Sequence, residues 1–344
     1  MIMVKSMNIE DIEINKELKI VFMGTPDFAV PILEALIDKY GVRAIVTQPD
    51  KEVGREKILK PTPIKEVGIK NTILVLQPKK IREEYSEIVA LEPDIIITCA
   101  YGQIIPKELL NCPRLGCINV HASLLPKLRG GAPIHRAIIN GFSKTGITIM
   151  YMNEGMDKGD IITQREIPIE DTDTAETLHD KLSILGRDLL MDTLPSIIDG
   201  TNTRTKQDDA LATYGFNISR DDEHIDFSKT TRQVFNQIRG LNSWPGAYTT
   251  YEGKILKVWA SRIGSNYDPM KNNGEIINIY DDGFGVKTSN GEIVITMVQP
   301  EGKKKMPAID FINGEKNKGS MIGKILRWIK RIYLKPRGVG LLLN

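Results

Sequence analysis

The sequence predicts an α/β domain built on a mostly parallel sheet, followed by a smaller all-β domain. Three observations carry that expectation. Short runs such as IVFMG (20–24), VRAIVTQ (42–48) and DIIITCA (94–100) are apolar almost throughout instead of alternating. Strands covered by helices on both faces read that way, and parallel sheets need such cover. Between them lie segments with apolar residues at helical spacing, so strand and helix take turns along the chain. From about Arg220 the pattern changes to short strands separated by DDG and NG turns.

Residues 1–17 are polar and aperiodic, and are read as a disordered extension. Residues 18–24 form a buried strand ended by glycine. A helix follows over 25–37, with Thr25 or Asp27 as its cap. The second strand is 42–48. The stretch from Pro49 to Pro63 is a long loop rich in Gly, Pro and Lys, and it carries Arg55, Lys57 and Lys60. Loops of that length tend to be functional; a charged lid without a specific contact is the alternative. A third strand is expected at 72–78 and a helix over 81–92, ending before Pro93. The central strand 94–100 turns through YGQIIP into a short helix. Residues 117–120 form the next strand and 132–141 a helix, on which His135 is a surface or packing residue and not a catalytic one. Strand 146–152 leads to a long helix over 174–198 that is capped by Asp173 or Thr174; His179 on it is structural. Residues 18–200 thus form one domain, and the polar stretch 201–219 reads as a linker. A second domain over 220–323 has one helix (231–239), a hairpin (247–251 with 254–261) and further short strands, which suggests a small barrel. The tail 324–344 mixes six basic residues with Ile325, Leu326, Trp328, Ile329, Ile332 and Tyr333. It fits a basic amphipathic helix, a segment docked on the barrel, or an altered reading frame.

Composition bounds the function. A chain of 344 residues with 41% hydrophobic and 26% charged residues is globular and has room for two domains. No apolar run reaches the roughly 20 residues that span a bilayer, and the start lacks the layout of a signal peptide. Cys99, Cys112 and Cys117 are too few and too irregular for a disulfide framework or a zinc site, so no metal is expected. A cytoplasmic monomer fits these features. Neither GxGxxG nor GxxxxGK[ST] is present, which argues against a nicotinamide or P-loop site. The net charge of +2 hides a split: −5 over residues 1–219 and +7 over 220–344. A basic second domain suits a polyanionic partner. Ordinary solubility charge is the plainer alternative.

Chemistry concentrates in CINVHASLLPKLRGGAPIHR (117–136). Asn119 and His121 are two apart, so in a strand they share one face. An amide donor beside an imidazole at a strand's carboxyl end suggests a ligand crevice. The same residues also fit an Asx turn and a structural histidine. Downstream, GITIMYM runs into NEGMDKGDII, which places Asp157 in a loop between two apolar strands. Together the three would handle a proton: the carboxylate orients the imidazole and the amide donates to an oxyanion.

These two stretches resemble the folate-dependent formyltransferases, and within them the methionyl-tRNA formyltransferases. The resemblance extends to IVFMGTPDFAVPILEAL, TQPDKEVGREKILKPTPIKE, PDIIITCAYGQIIPKELL, NQIRGLNSWPGAYT and QPEGKKKM, and covers roughly residues 18–326. It implies a Rossmann-like catalytic domain and an OB-like barrel. The implied donor is 10-formyltetrahydrofolate, and the implied acceptor is the α-amino group of initiator methionyl-tRNA. Asn119 and His121 would hold the oxyanion, while Asp157 would orient His121 and relay the amine proton through water. The folate would lie against Ala100, Tyr101, Gly102, Gln103 and Ile104, against Ser123, Leu124, Leu125 and Pro126, and against Gly155 and Met156. The tRNA would meet Arg55, Lys57 and Lys60 in the first domain and Lys303, Lys304 and Lys305 in the second. Where the family usually has GRGKKL, this chain has GREKIL. Three rivals stand beside this reading. One is a formyltransferase acting on an amino-sugar nucleotide or another small amine. The second is a formyltetrahydrofolate hydrolase or dehydrogenase, for whose extra domain the chain has no room. The third is a non-catalytic nucleic-acid-binding barrel.

Overall fold

A computed structural model describes residues 18–53, without the side chain of Val53, together with 56–314 and 321–327. The expectations for residues 1–17, for Arg55 and for the tail beyond Arg327 lie outside the described residues. The chain divides after Asn217 into two compact units.

The first unit contains β1 (Ile20–Gly24), α1 (Val30–Tyr40), β2 (Ala44–Val46), β3 (Lys51–Val53), β4 (Ile58–Lys60), α2 (Pro63–Lys70), β5 (Leu74–Leu76) and α3 (Ser86–Ala90). It continues with β6 (Ile95–Cys99), α4 (Lys107–Leu110), β7 (Cys117–His121), α5 (Pro133–Ile139), β8 (Lys144–Tyr151), β9 (Ile161–Pro168) and α6 (Ala175–Ile198). Seven strands form one sheet in the order β5-β2-β1-β6-β7-β8-β9. The five from β5 to β7 are parallel, and β8 and β9 are antiparallel additions. The strand order reverses direction between β1 and β6, where open α/β sheets hold their ligands.

The apolar runs are uninterrupted because both faces are covered. Ile20 and Phe22 of β1, Ile118 and Val120 of β7, and Ile147 and Ile149 of β8 pack with Leu178, Leu182, Leu190 and Leu194 of α6. Val21, Met23, Ile96 and Cys117 point the other way, to Ile88 of α3 and to Leu109 and Leu110 of α4. Each such side chain contributes about 1.5–3 kcal/mol of burial. The long helix lies close against the sheet at Gly186, where a Cβ would stand 3.1 Å from Cγ1 of Val120.

Several local expectations change. Thr25 is not a helix cap; its hydroxyl donates to the Tyr101 carbonyl at 3.0 Å. The chain enters α1 through a 3-10 turn over Asp27–Ala29. The helix expected over 81–92 shrinks to α3; ahead of it the chain makes a separate turn, in which the Glu83 and Glu84 N–H groups donate to the Lys80 carbonyl and the Ile81 N–H donates to Gln103 Oε1 at 2.8 Å. Within the basic stretch 49–63, β3 and β4 form a two-stranded ribbon, in which Lys51 pairs with Lys60. Residues 201–217 do not form a free linker. Thr205 pairs with Ile161, and Tyr214 with Arg129. The Arg129 N–H donates to the Thr213 carbonyl at 2.9 Å, and the Gly215 N–H to that of Arg129 at 2.7 Å. These are backbone bonds, which polar side-chain composition does not reveal.

The second unit contains α7 (Arg220–Glu223), α8 (Thr231–Gly240), β10 (Ala247–Tyr251), β11 (Lys254–Ile263), β12 (Ile276–Tyr280), β13 (Gly283–Thr288), β14 (Gly291–Pro300), β15 (Met306–Pro307) and α9 (Ala308–Gly314). Its strands are antiparallel in the order β10-β11-β14-β13-β12, with β15 on β14. Arg327 pairs with Thr250 of β10, and Ile325 with Glu275 just before β12, so the end of the described chain touches both edges of the sheet. Hydrogen bonding therefore runs past residue 323. Among the described residues no helix is long and apolar enough to cross a membrane.

Asp173, at the entry to α6, is 2% exposed. Its carboxylate accepts from Lys181 Nζ at 2.7 Å, from the Glu170 N–H at 2.9 Å and from the Thr177 hydroxyl at 3.1 Å. Burial disfavours the charge, but these donors outweigh it and hold the pKa below the usual aspartate value. The folded state thus binds this proton less readily than the unfolded chain does. The stabilisation is complete above the unfolded pKa of about 4, declines below it and is lost as the pH falls through the lower folded pKa. Asp173→Asn is expected to cost about 1–3 kcal/mol at neutral pH. Urea unfolding at pH 7 and pH 3 should show the gap between variant and parent closing at the lower pH.

Candidate active site

The parallel pairing of β6 with β7 sets Thr98 beside Asn119. The Thr98 hydroxyl lies 2.8 Å from Asn119 Oδ1, and 3.2 Å from both the Ile118 carbonyl and Met152 Sδ. One proton serves one acceptor at a time, and Asn119 is the nearest. That bond makes Oδ1 the acceptor and leaves Nδ2 to donate. Because Ile118 and Val120 fill the core, Asn119 and His121 project to the opposite face.

His121 is 6% exposed. Its Nε2 lies 3.1 Å from the Leu128 carbonyl. A carbonyl only accepts, so Nε2 carries the proton and Nδ1 holds the lone pair in the neutral ring. Nδ1 is 3.7 Å from Asp157 Oδ1, beyond hydrogen-bond distance, and the two form an ion pair only when the ring is protonated. The other carboxylate oxygen accepts the Gly130 N–H at 2.7 Å. Asp157 sits in the left-handed region, with φ 49°. The structure therefore brings Asn119, His121 and Asp157 together. It differs from the sequence expectation in one respect: the neutral ring has no N–H to spare for an oxyanion.

The loop after β6 has Ala100 at φ 49° and Gly102 at φ 88°. The Tyr101 carbonyl accepts from Thr25 and, at 3.0 Å, from Gln48 Nε2. Gln103 Nε2 reaches Gln48 Oε1 and the Pro78 carbonyl, each at 3.3 Å. The Tyr101 hydroxyl is buried with no partner among the described residues. Burial, with Glu84 nearby, pushes its pKa up to about 12. Ile104 and Met156 are mostly exposed. Ser123 and Leu125 are buried, and both shape their loop: the Ser123 hydroxyl donates to the Lys127 carbonyl at 2.7 Å, and the Leu125 N–H to Thr148 Oγ1 at 3.1 Å. Leu124 and Pro126 are half-buried. Ser123 and Leu124 also border a cavity of about 350 Å³ with Lys127, Leu128 and Phe142. Gly155 borders another of about 400 Å³ with Lys107, Asn111 and Met152.

Lys57 and Lys60 are exposed on the ribbon, and Lys57 Nζ is 3.7 Å from Glu52. Lys303, Lys304 and Lys305 are exposed between β14 and β15, and Lys305 Nζ stands 4.8 Å over the Trp259 ring. Among the described residues no cluster of three or more His, Cys, Asp or Glu could hold a metal. Sequence reasoning missed Thr98, Gln48, the Leu128 carbonyl and the Gly130 amide. Only Thr98 left a signal, as the one hydroxyl in an apolar strand.

A formyl transferase family model matches residues 18–194, and a formyl transferase C-terminal domain model matches 217–316. The methionyl-tRNA formyltransferase of Geobacillus sp. (strain WCH70) is 54% identical over 303 residues, covering 86% of this chain and 94% of its own length. That of Bacillus subtilis (strain 168) is 52% identical over 303 residues, with the same two shares, 86% and 94%. Among solved structures, the sugar 3N-formyl transferase WlaRD has a TM-score of 0.63 at 22% identity, over 84% of this chain and 100% of its own. An N-formyltransferase from Helicobacter canadensis has a TM-score of 0.63 at 22% identity, over 82% and 100%. At that identity the likeness is one of fold. Identity above one half over most of both chains is a likeness of another order, and on it this chain belongs to the methionyl-tRNA formyltransferase family.

Proposed function

We propose that the chain transfers a formyl group from 10-formyltetrahydrofolate to the α-amino group of methionine on initiator tRNA, giving N-formylmethionyl-tRNA for translation initiation. The observation that carries this is the assembled Asn119–His121–Asp157 trio in a chain 54% identical to a methionyl-tRNA formyltransferase.

The donor supplies an activated formyl group. Asn119 Nδ2, oriented by Thr98, donates to the formyl oxygen as negative charge builds there. His121 Nδ1 takes the proton that the attacking amine releases, directly or through one water, and that proton passes to N10 as the tetrahedral intermediate collapses, breaks its C–N10 bond and releases tetrahydrofolate. Asp157, 3.7 Å away, offsets the imidazolium charge. The folate would lie along residues 100–104, 123–126 and 155–156. Two features fit a flat ligand with polar edges: the left-handed backbone at Ala100 and Gly102, and the orphaned Tyr101 hydroxyl. WlaRD was solved with dTDP and 5-N-formyl-THF, and HypX of Aquifex aeolicus with tetrahydrofolic acid. The antiparallel second unit, with residues 325 and 327 bridging its two edges, supports reading it as an OB-like barrel that carries tRNA. Arg55, Lys57 and Lys60 would hold the acceptor end, and Lys303, Lys304 and Lys305 the phosphates.

The test is formylation of initiator methionyl-tRNA beside elongator methionyl-tRNA and an amino-sugar nucleotide, with 10-formyltetrahydrofolate as donor. Transfer to initiator tRNA is expected; transfer to the sugar amine alone would overturn the proposal. Asn119→Ala should fold normally and lower kcat roughly 10²–10³-fold. Asp157→Asn should lose activity and keep its affinity for 5-formyltetrahydrofolate, read by calorimetry; loss of that affinity would make Asp157 a fold-keeping residue. Replacing Lys303, Lys304 and Lys305 by Ala should flatten the dependence of log K on log salt by about 0.7–0.9 for each lysine that meets a phosphate. An unchanged slope would remove them from the interface.

A further inference from the structure

We propose that Gln207, clamped by the buried Arg129, is a positioning residue that fixes Asp157 for proton transfer. The proposal rests on the reading that Asp157 serves His121. Arg129 is 1% exposed, an unusual place for a guanidinium. Its Nε and Nη2 donate to Gln207 Oε1 at 3.1 and 2.9 Å, and its Nη1 to Asp209 Oδ1 at 2.7 Å. Arginine only donates, so the Gln207 oxygen must face it and the amide nitrogen must face away. That nitrogen donates to the carbonyls of Asp157 and Gly159, each at 2.8 Å. Both N–H groups of Gln207 are thereby used on the Asp157 loop.

The clamp acts where the loop needs it. Asp157 is left-handed at φ 49°, a conformation that costs a non-glycine residue on the order of 1 kcal/mol and must be held by its surroundings. Gly159 allows no side chain, since a Cβ there would lie 1.8 Å from the Tyr151 carbonyl oxygen. Residues 129 and 130 then grip Asp157 from two sides. The Gly130 N–H takes the carboxylate, and the Arg129 side chain, through Gln207, takes the main-chain carbonyl. A carboxylate oxygen 3.7 Å from His121 Nδ1 has no direct hydrogen bond to hold it in register, so its position depends on this frame.

A purely structural brace would stabilise the fold without being coupled to Asp157, and a double-mutant cycle separates the two. Gln207→Glu keeps an oxygen for Arg129 but loses both N–H donors. With the full-length enzyme, initiator methionyl-tRNA and 10-formyltetrahydrofolate, it should lower kcat roughly 10–100-fold, in line with the cost of small misplacements near a reacting group. KM for either substrate should change by less than about twofold, because the group acts on positioning and not on binding. In the Asp157→Asn background the same substitution should lower kcat by less than about twofold, since the group it positions is already disabled. Equal losses in both backgrounds, or unchanged kcat in the single variant, would overturn the proposal while leaving the role of Asp157 intact. Near-normal turnover by Asp157→Asn would instead overturn the role of Asp157 and the proposal with it. If Gln207→Glu does not fold, Arg129→Lys carries the same cycle, because it keeps a cation for Asp209 but has no fork for Gln207.

Discussion

A parallel pair of strands, β6 and β7, meets at the carboxyl edge of the first unit's sheet, and their register decides where polar groups can stand. In a strand covered on one face by α6, side chains alternate strictly between core and the other face. Ile118 and Val120 take the core, which forces Asn119 and His121 to the other side. A slip of one residue would turn the amide and the imidazole into the apolar core beneath α6 and turn Ile118 and Val120 to the face of the site. The neighbouring strand then supplies Thr98 at the level of Asn119, and its hydroxyl settles which end of that amide can donate.

The polar groups of the site are tied down by donors and acceptors whose directions are dictated by chemistry. The Leu128 carbonyl can only accept, which fixes the tautomer of His121. Arg129 can only donate, which fixes the orientation of Gln207. Buried polar groups without partners are costly, so each of these pairings also limits the alternatives open to the loop. The Tyr101 hydroxyl is the exception, and it lies in the segment proposed to face the folate.

The second unit is governed by other forces. Its sheet is antiparallel, with β11 and β14 of ten residues each, and the charge excess of +7 over residues 220–344 contrasts with −5 before it. Long-range attraction of a polyanion needs only net charge, which falls off within a Debye length of about 10 Å in ordinary salt. Placement of a reacting amine needs fixed geometry.

Family resemblance implied that Asn119, His121 and Asp157 share one site, whereas hydrophobic period, glycine and proline marks and turn chemistry were enough to read from the chain the parallel sheet and the change to an all-β unit from about Arg220. These features are local: alternation, spacing and turn chemistry act over a few residues. The hydrogen bonds that give those groups their states are not local. The brace from residues 205–215, which polar composition made look like a linker, is built from backbone pairs and from Gln207, fifty residues from Asp157. The Leu128 carbonyl and the Gly130 amide carry no side-chain signature at all. Nor could spacing tell that Thr25 would hold Tyr101 instead of capping α1. The sequence determined which chemical groups the site contains. The tertiary structure alone decided which nitrogen of His121 keeps its proton, which end of Asn119 donates and what holds Asp157, because each of these depends on partners that the fold brings together from distant parts of the chain.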